Sequence, residues 1–460
     1  MERMRPDDHF MVIVETDATP MHIGALILLE LPEKDRSSFS ENIRSHLTAK
    51  LRHTPLLRIL KESPQGYDSD AWFSVPEQQT KTCFHVHHHD ETLDEGALRG
   101  FIANACMKRI NLSAPPFEIH IFDNISSERA ALYLKVHHCV TDGVGFQRLL
   151  DTLSDNPTDG TEPICSGYAE PIPSPNEWLR EAEAKFESQK SDREEAKSRK
   201  LDALEALKTF NSLPGHETTA TPEFELSGPT STNRAYRTLS IPLRFFKNHA
   251  KTLDAKINDL FLWVAATAVR DYLNEENTLP KQSLSVNSAR SYRINDHGQY
   301  GNRIVALRPK LATNVEDAID RLREIQKSMR LELQRSEIEQ RLLDQPEKPF
   351  GAARRREQFG KRTKNQDVIL AGNITLSNVP GSEKSRFFCG YRQLANYPVP
   401  LLGSGRFLNI TSRRNEGYLD WGIMADPEKV RDIDRLVVLI ESAIEQLGCL
   451  ARSHEAETIA

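Results

Sequence analysis

Apolar positions in the first 150 residues fall into strand-length runs that alternate with helical spacing. Residues 21–30 (MHIGALILLE) are β-rich and apolar, as a buried strand would be. Residues 37–51 place Phe39, Ile43, Leu47 and Leu51 four apart behind a cluster of serines, which predicts a helix. A strand over 83–89, a helix over 93–107 and strands over 117–122 and 130–137 follow. Leu149, Leu150 and Leu153 then share one face of a helix that opens just after Gly143.

From 156 to about 175 the chain turns to Pro, Gly, Ser, Thr and acidic residues, which marks a domain edge. Residues 177–210 read as one highly charged, solvated connector helix, and 212–233 as loop. The pattern then restarts. Strands are predicted at 237–241 and 283–288 with a helix over 257–274 between them. Further strands fall at 373–379, 407–412 and 418–424, and an amphipathic helix at 427–450 closes the pattern. At 460 residues the chain exceeds what one compact core usually holds. Elements of both kinds on either side of a linker predict an α/β (α+β) fold of two sandwiches side by side, divided as 1–175, 176–233 and 234–460.

Charge and composition narrow the function classes. A net charge of -6 carries no nucleic-acid footprint. No apolar run is long enough for a signal peptide or a membrane span, so any contact with lipid is expected to be peripheral. Six cysteines without a CxxC pair read as reduced thiols in a cytoplasmic protein.

The chemistry concentrates in His137-His138-Cys139-Val140-Thr141-Asp142-Gly143. Alternation along the preceding strand puts His138 on the face of Leu132, Leu134 and Val136, and His137 on the opposite face. Asp142-Gly143 supplies a sharp turn and a carboxylate near a helix start. An imidazole at a strand end beside such a turn suits a general base that takes a proton from a hydroxyl as its oxygen attacks a carbonyl. Gly143 leaves the backbone open to a substrate. Cys139 is a spacer, since nucleophilic use needs a lowered pKa and a facing base.

HHxxxDG on a strand-turn-helix resembles the CoA-dependent acyltransferase superfamily, which includes chloramphenicol acetyltransferase and peptide-synthetase condensation domains. MHIGALILLE (21–30), ALYLKVHHCVTDGVGFQRLL (131–150), KINDLFLWVAATAVRDYL (256–273), ITLSNVPG (374–381), YPVPLL (397–402), LNIT (408–411) and GYLDWGIMADPEKV (417–430) are similar, in order, to blocks of the bifunctional wax ester synthase/diacylglycerol acyltransferase family. The resemblance covers about residues 8–450. It implies two chloramphenicol-acetyltransferase-like domains with a tunnel between them. In that tunnel acyl-CoA and a fatty alcohol or diacylglycerol meet at His138, without a covalent intermediate or a tightly bound cofactor. It also implies that Asp142 is structural, paired with an arginine of the second domain, for which Arg290 is the candidate and Arg293 the alternative. Asn258, Asp259 and Asn378 are near-site by resemblance; as residue types they equally suit a helix cap and a turn. No oxyanion donor stands out, a backbone amide near Gly143 being the nearest guess.

The chain departs from the family at three points. The Pro-Leu-Trp motif appears as Pro115-Pro116-Phe117, which puts the acyl preference in question. The polar, basic residues 344–366 read as a loop, either merely exposed or meeting anionic headgroups or CoA phosphates. High overall polarity does not favour deep membrane insertion. A different donor or alcohol on the same fold is therefore the alternative function, and a non-catalytic binding protein the third. His85, His87, His88 and His89, followed by Asp90, suggest a metal site at first sight. They are discounted because structural sites usually gather ligands from more than one segment, and no metal is expected.

Overall fold

The computed structural model describes residues 1–88, 92–126, 128–155, 164–218, 220–293, 300–343, 348–364 and 372–459. His89 and Asp90, and parts of the expected loops at 156–175, 212–233 and 344–366, lie outside them.

Two six-stranded sheets organise the molecule. In the first the order is Phe387–Phe388, Tyr391–Val399, His22–Glu30, Arg129–His137, Phe117–Ser126, Phe84–His87. In the second it is Ile304–Leu307, Val286–Ser291, Ile374–Ser382, Leu408–Asn415, Tyr418–Ala425, Ala235–Pro242. A small third sheet joins Glu2–Arg3, Ala71–Ser74 and Arg58–Lys61.

Alternation builds the first core. Leu132, Leu134 and Val136 point to one face, where Phe39, Ile43 and Leu47 of the helix Arg36–Lys50 meet them. Ala131 and Tyr133 point to the other, under Leu98 and Ile102 of the helix Glu95–Ala105. The second core surrounds the helix Ile257–Glu275, which is buried continuously from Asp259 to Val269, as befits a helix apolar on all sides.

The expected division at 175 and 233 does not follow the sheets. Tyr391–Val399 belongs to the second half in sequence but pairs antiparallel with His22–Glu30, with Val399 opposite Gly24 and Gln393 opposite Leu29. The apolar His22–Glu30 strand needs a partner on both edges, and the second half supplies one.

Two segments expected to be solvated are docked. Residues 177–210 form two helices, Pro175–Ser188 and Lys190–Asn211. The first buries Trp178, Ala182 and Phe186, four apart, and the Trp178 indole donates to Asp68 Oδ2 at 3.0 Å. Much of the basic segment is the helix Gly351–Lys364 rather than loop. Phe359 meets Phe10 edge-to-face at 5.4 Å, and Arg356 pairs with Asp70. No helix among the described residues is long and apolar enough to cross a membrane.

Candidate active site

The Arg129–His137 strand ends where Met21, at the mouth of its neighbour, accepts a hydrogen bond from the His138 amide at 2.7 Å. The chain then makes a single 3₁₀ turn, His138–Val140, before the helix Gly143–Leu153. That turn parts the two histidines. His137 is wholly buried, and its Nδ1 accepts from the Cys139 amide at 3.1 Å, which leaves the proton on Nε2, 3.5 Å from Glu15 Oε1. His138 instead lines a cavity of about 830 Å³ between the two halves, ample for a drug-sized ligand.

Burial pushes the His138 pKa below the ordinary histidine value, although its own carbonyl, Asp142 and the Asn302 side chain all favour the proton. The ring is therefore neutral at pH 7, the form a general base requires. Its Nδ1 is buried and makes no hydrogen bond.

Asp142 is the anchor of the turn. Its Oδ1 caps the following helix through the Gly145 amide at 2.9 Å. Its Oδ2 accepts from Arg293 Nη2 at 2.9 Å and from the Arg303 amide at 3.0 Å, both from the second half. The pair is buried, with side-chain exposures of 4% and 1%. Arg290 is not its partner. It lies within the Val286–Ser291 strand and bonds Ser336 Oγ at 2.8 Å on the helix Ala318–Glu339, whereas Arg293, beyond the strand end, reaches across.

Gly143 also borders the cavity, but a Cβ there would stand 3.1 Å from Val379 Cγ1. Its smallness therefore lets the helix start pack on the Ile374–Ser382 strand, besides opening the backbone to the cavity.

The other expected residues are not brought to the site. Asp259 is buried and its Oδ2 accepts from the Lys256 amide at 3.0 Å, a helix cap. Neither it nor Asn258 lines the cavity. Asn378 is exposed on a strand rather than in a turn, between Ser377 and Val379, which do face the cavity. Phe117 is buried in the first core and does not reach the cavity. Burial raises the Cys139 thiol well above its usual range, so it is no nucleophile.

Asn302 escaped the sequence reading. Its Nδ2 donates to the His138 carbonyl at 2.7 Å and to Asp8 Oδ1 at 2.8 Å, while its amide N–H donates to the same Asp8 oxygen at 2.6 Å. Asp8 sits on the helix Pro6–Ile13, and burial raises its pKa to about 6. The one local signal was the neighbouring Gly301, whose φ of 80° only glycine adopts readily.

Two sheets facing a shared cavity, with a histidine at the end of a central strand, are the arrangement of the chloramphenicol-acetyltransferase-like fold class. The family profile described as wax ester synthase/diacylglycerol acyltransferase catalytic domain matches residues 4–261, and that of the family's C-terminal domain matches 300–448. The chain thus belongs to the wax ester synthase/diacylglycerol acyltransferase family. It is 25% identical to the O-acyltransferase WSD of Acinetobacter baylyi over the whole of both chains. It is likewise 25% identical to a putative diacylglycerol O-acyltransferase of Mycobacterium tuberculosis, covering 97% of each. Its fold is similar to that of the wax ester synthase/diacylglycerol acyltransferase from Marinobacter aquaeolei, with a TM-score of 0.65 at 20% identity over 98% of this chain and 99% of that one. The first condensation domain of the calcium-dependent antibiotic synthetase is similar at a TM-score of 0.60 and 15% identity, over 98% of this chain and 96% of that one.

Proposed function

We propose that this chain transfers the acyl group of a long-chain acyl-CoA to the hydroxyl of a fatty alcohol or a diacylglycerol. The observation that carries this reading is the neutral His138 ring on the wall of a large cavity between the halves. His138 takes the hydroxyl proton as the oxygen attacks the thioester carbonyl. A carbon–oxygen bond forms, the carbon–sulfur bond breaks, and the proton passes to the departing thiolate. Asn302 holds the His138 backbone in place through its carbonyl, with Asp8 holding Asn302. Asp142 and Arg293 lock the turn to the second half.

The two walls of the cavity differ in chemistry. Phe10, Met11, Val14, Met21 and Ile23 offer hydrocarbon surface suited to an acyl chain. Thr375, Ser377, Asn409 and Thr411, on the inward faces of two neighbouring strands, offer hydrogen-bonding groups suited to the amides of the CoA arm or to glycerol oxygens. Arg354, exposed on the helix Gly351–Lys364, would help bring the chain to an anionic lipid surface, a peripheral contact without insertion.

A panel of acyl-CoAs crossed with long-chain alcohols and diacylglycerol, read by free-thiol release and product chromatography, tests the reading. We expect turnover with donors of palmitoyl length. Activity confined to acetyl or other short donors would overturn the wax ester and triacylglycerol assignment in favour of a different substrate on the same fold.

A further inference from the structure

The histidine run that sequence reasoning set aside acquires a second segment in the fold. Phe84–His87 pairs parallel with Phe117–Ser126, which places His85 directly beside His120. Glu118 lies two residues earlier on the same strand, and so on the same face. One donor atom from each of His85, Glu118 and His120 falls within 4.8 Å of the others. His120 Nε2 and Glu118 Oε2 are 3.5 Å apart. That matches the roughly 3.4 Å between two ligands of a tetrahedral zinc ion with bonds of about 2.1 Å. His120 is only 7% exposed, and its Nε2 is buried and turned toward this gap, where its one polar neighbour is the Glu118 carboxylate at the far limit of hydrogen-bond range. A buried imidazole nitrogen with so long a contact is poorly satisfied, and an ion held between it and the carboxylate would satisfy both.

The surroundings are those a metal ligand set needs. The other ring nitrogen of His120, Nδ1, is 3.0 Å from His87 Nε2, which holds the ring in place. The Glu118 carboxylate is held by Lys135 Nζ at 2.8 Å. The His85 and His120 rings stack with centroids 4.6 Å apart, so the partly exposed His85 ring has to turn for its lone pair to converge with that of His120 on an ion, while Tyr133 holds His120 from beneath at 5.6 Å. His85 remains partly exposed, so an ion has a path in and a place for a water.

We propose that His85, Glu118 and His120 form a binding site for a divalent transition-metal ion, with zinc as the representative, at the edge of the first sheet on the face that the helix Glu95–Ala105 covers. Two imidazoles and one carboxylate from two strands tie the four-residue edge strand Phe84–His87 to its single neighbour. The site lies apart from the cavity and takes no part in acyl transfer. The buried Lys135 ammonium opposes the ion's charge and weakens its binding.

Calorimetric titration of the metal-free full-length chain with zinc chloride, read beside thermal denaturation with and without zinc, tests this. We expect one ion per chain and a rise in Tm. His85→Ala, a partly exposed position, should abolish both, as should His120→Ala. His87→Ala should weaken binding by about 10–100-fold through the second ring nitrogen of His120. An unchanged isotherm in His85→Ala, or no heat from the wild type, would overturn the site. Should His120→Ala fail to fold, the His85 and His87 variants still decide the matter.

Discussion

In the first sheet, His22–Glu30 pairs antiparallel with Arg129–His137, which pairs antiparallel with Phe117–Ser126, which pairs parallel with Phe84–His87. In the second, Ala235–Pro242, Tyr418–Ala425, Leu408–Asn415 and Ile374–Ser382 follow in the same order and with the same senses. The strand that runs out into His138 therefore corresponds to Tyr418–Ala425, which runs out into Asp426. Both end in a polar residue beside a turn, Asp426 buried and His138 half-buried on the cavity wall. Asp426 is consumed locally: its oxygens accept from the Ser231 amide at 2.8 Å, the Ser231 hydroxyl at 2.7 Å and the Glu428 amide at 3.1 Å. The His138 ring meets the cavity instead, its Nδ1 without a hydrogen bond. The strand end supplies placement in both copies. Only the His138 turn leaves its side chain uncommitted, as the proposed base requires.

The largest test of that contrast exchanges the two ends. His138→Ala should cut turnover by about 10²–10⁴-fold and leave Tm near the wild-type value. Asp426→Ala should do the reverse, costing on the order of 1–3 kcal/mol of stability while the folded fraction keeps its kcat. Thiol-release rates and thermal denaturation of both variants decide it. A dead Asp426→Ala enzyme with unchanged Tm would break the comparison.

Next in size is the bond between the halves. Removing Arg293 strands the buried Asp142 charge, so Arg293→Ala should cost about 3–5 kcal/mol in urea denaturation. Arg290→Ala loses only partly exposed contacts and should cost under about 1 kcal/mol. Equal losses would show that Arg293 is no more central than its neighbour.

The smallest effect concerns the ring that turns away. Burial works against the Glu15 carboxylate, but the hydrogen bonds it accepts from the His137 ring and the Met21 amide bring its pKa down to about 2. Its folded value thus lies below the unfolded one, so its contribution is complete above about pH 4.5 and fades as the pH falls toward 2. Glu15→Gln should therefore be less stable than the wild type at pH 6, by roughly 2 kcal/mol. That gap should narrow by pH 3, measured as the difference between their denaturation midpoints. A gap that widens in acid would refute the assignment.

Much of this was legible in the sequence. Residues 21–30 and 130–137 announced their strands because one face of each is uniformly apolar, and HHxxxDG stood at the end of the second. Tyr391–Val399 gave no such signal, because its inward positions include Gln393 and Asn396, which are buried against Asn415 and Arg413 rather than against hydrocarbon. Ile304–Leu307 is too short for any period to show. The partner of Asp142 was narrowed to two arginines three residues apart, and only the place where the strand stops chooses between them. Asn302 had no local signal beyond the neighbouring Gly301. Its role comes from contacts to residues 164 and 294 positions away.

The borrowed strand bears on how the chain is made. During synthesis the His22–Glu30 edge emerges early, apolar and unpaired on one side. Its partner Tyr391–Val399 follows more than 360 residues later. At roughly 5–20 residues per second that edge stays open for tens of seconds, an invitation to pair with a strand of another nascent chain. A fragment that stops before residue 391 keeps the edge open permanently. It should collect in aggregates, whereas the same fragment co-produced with the remainder has its missing strand within reach.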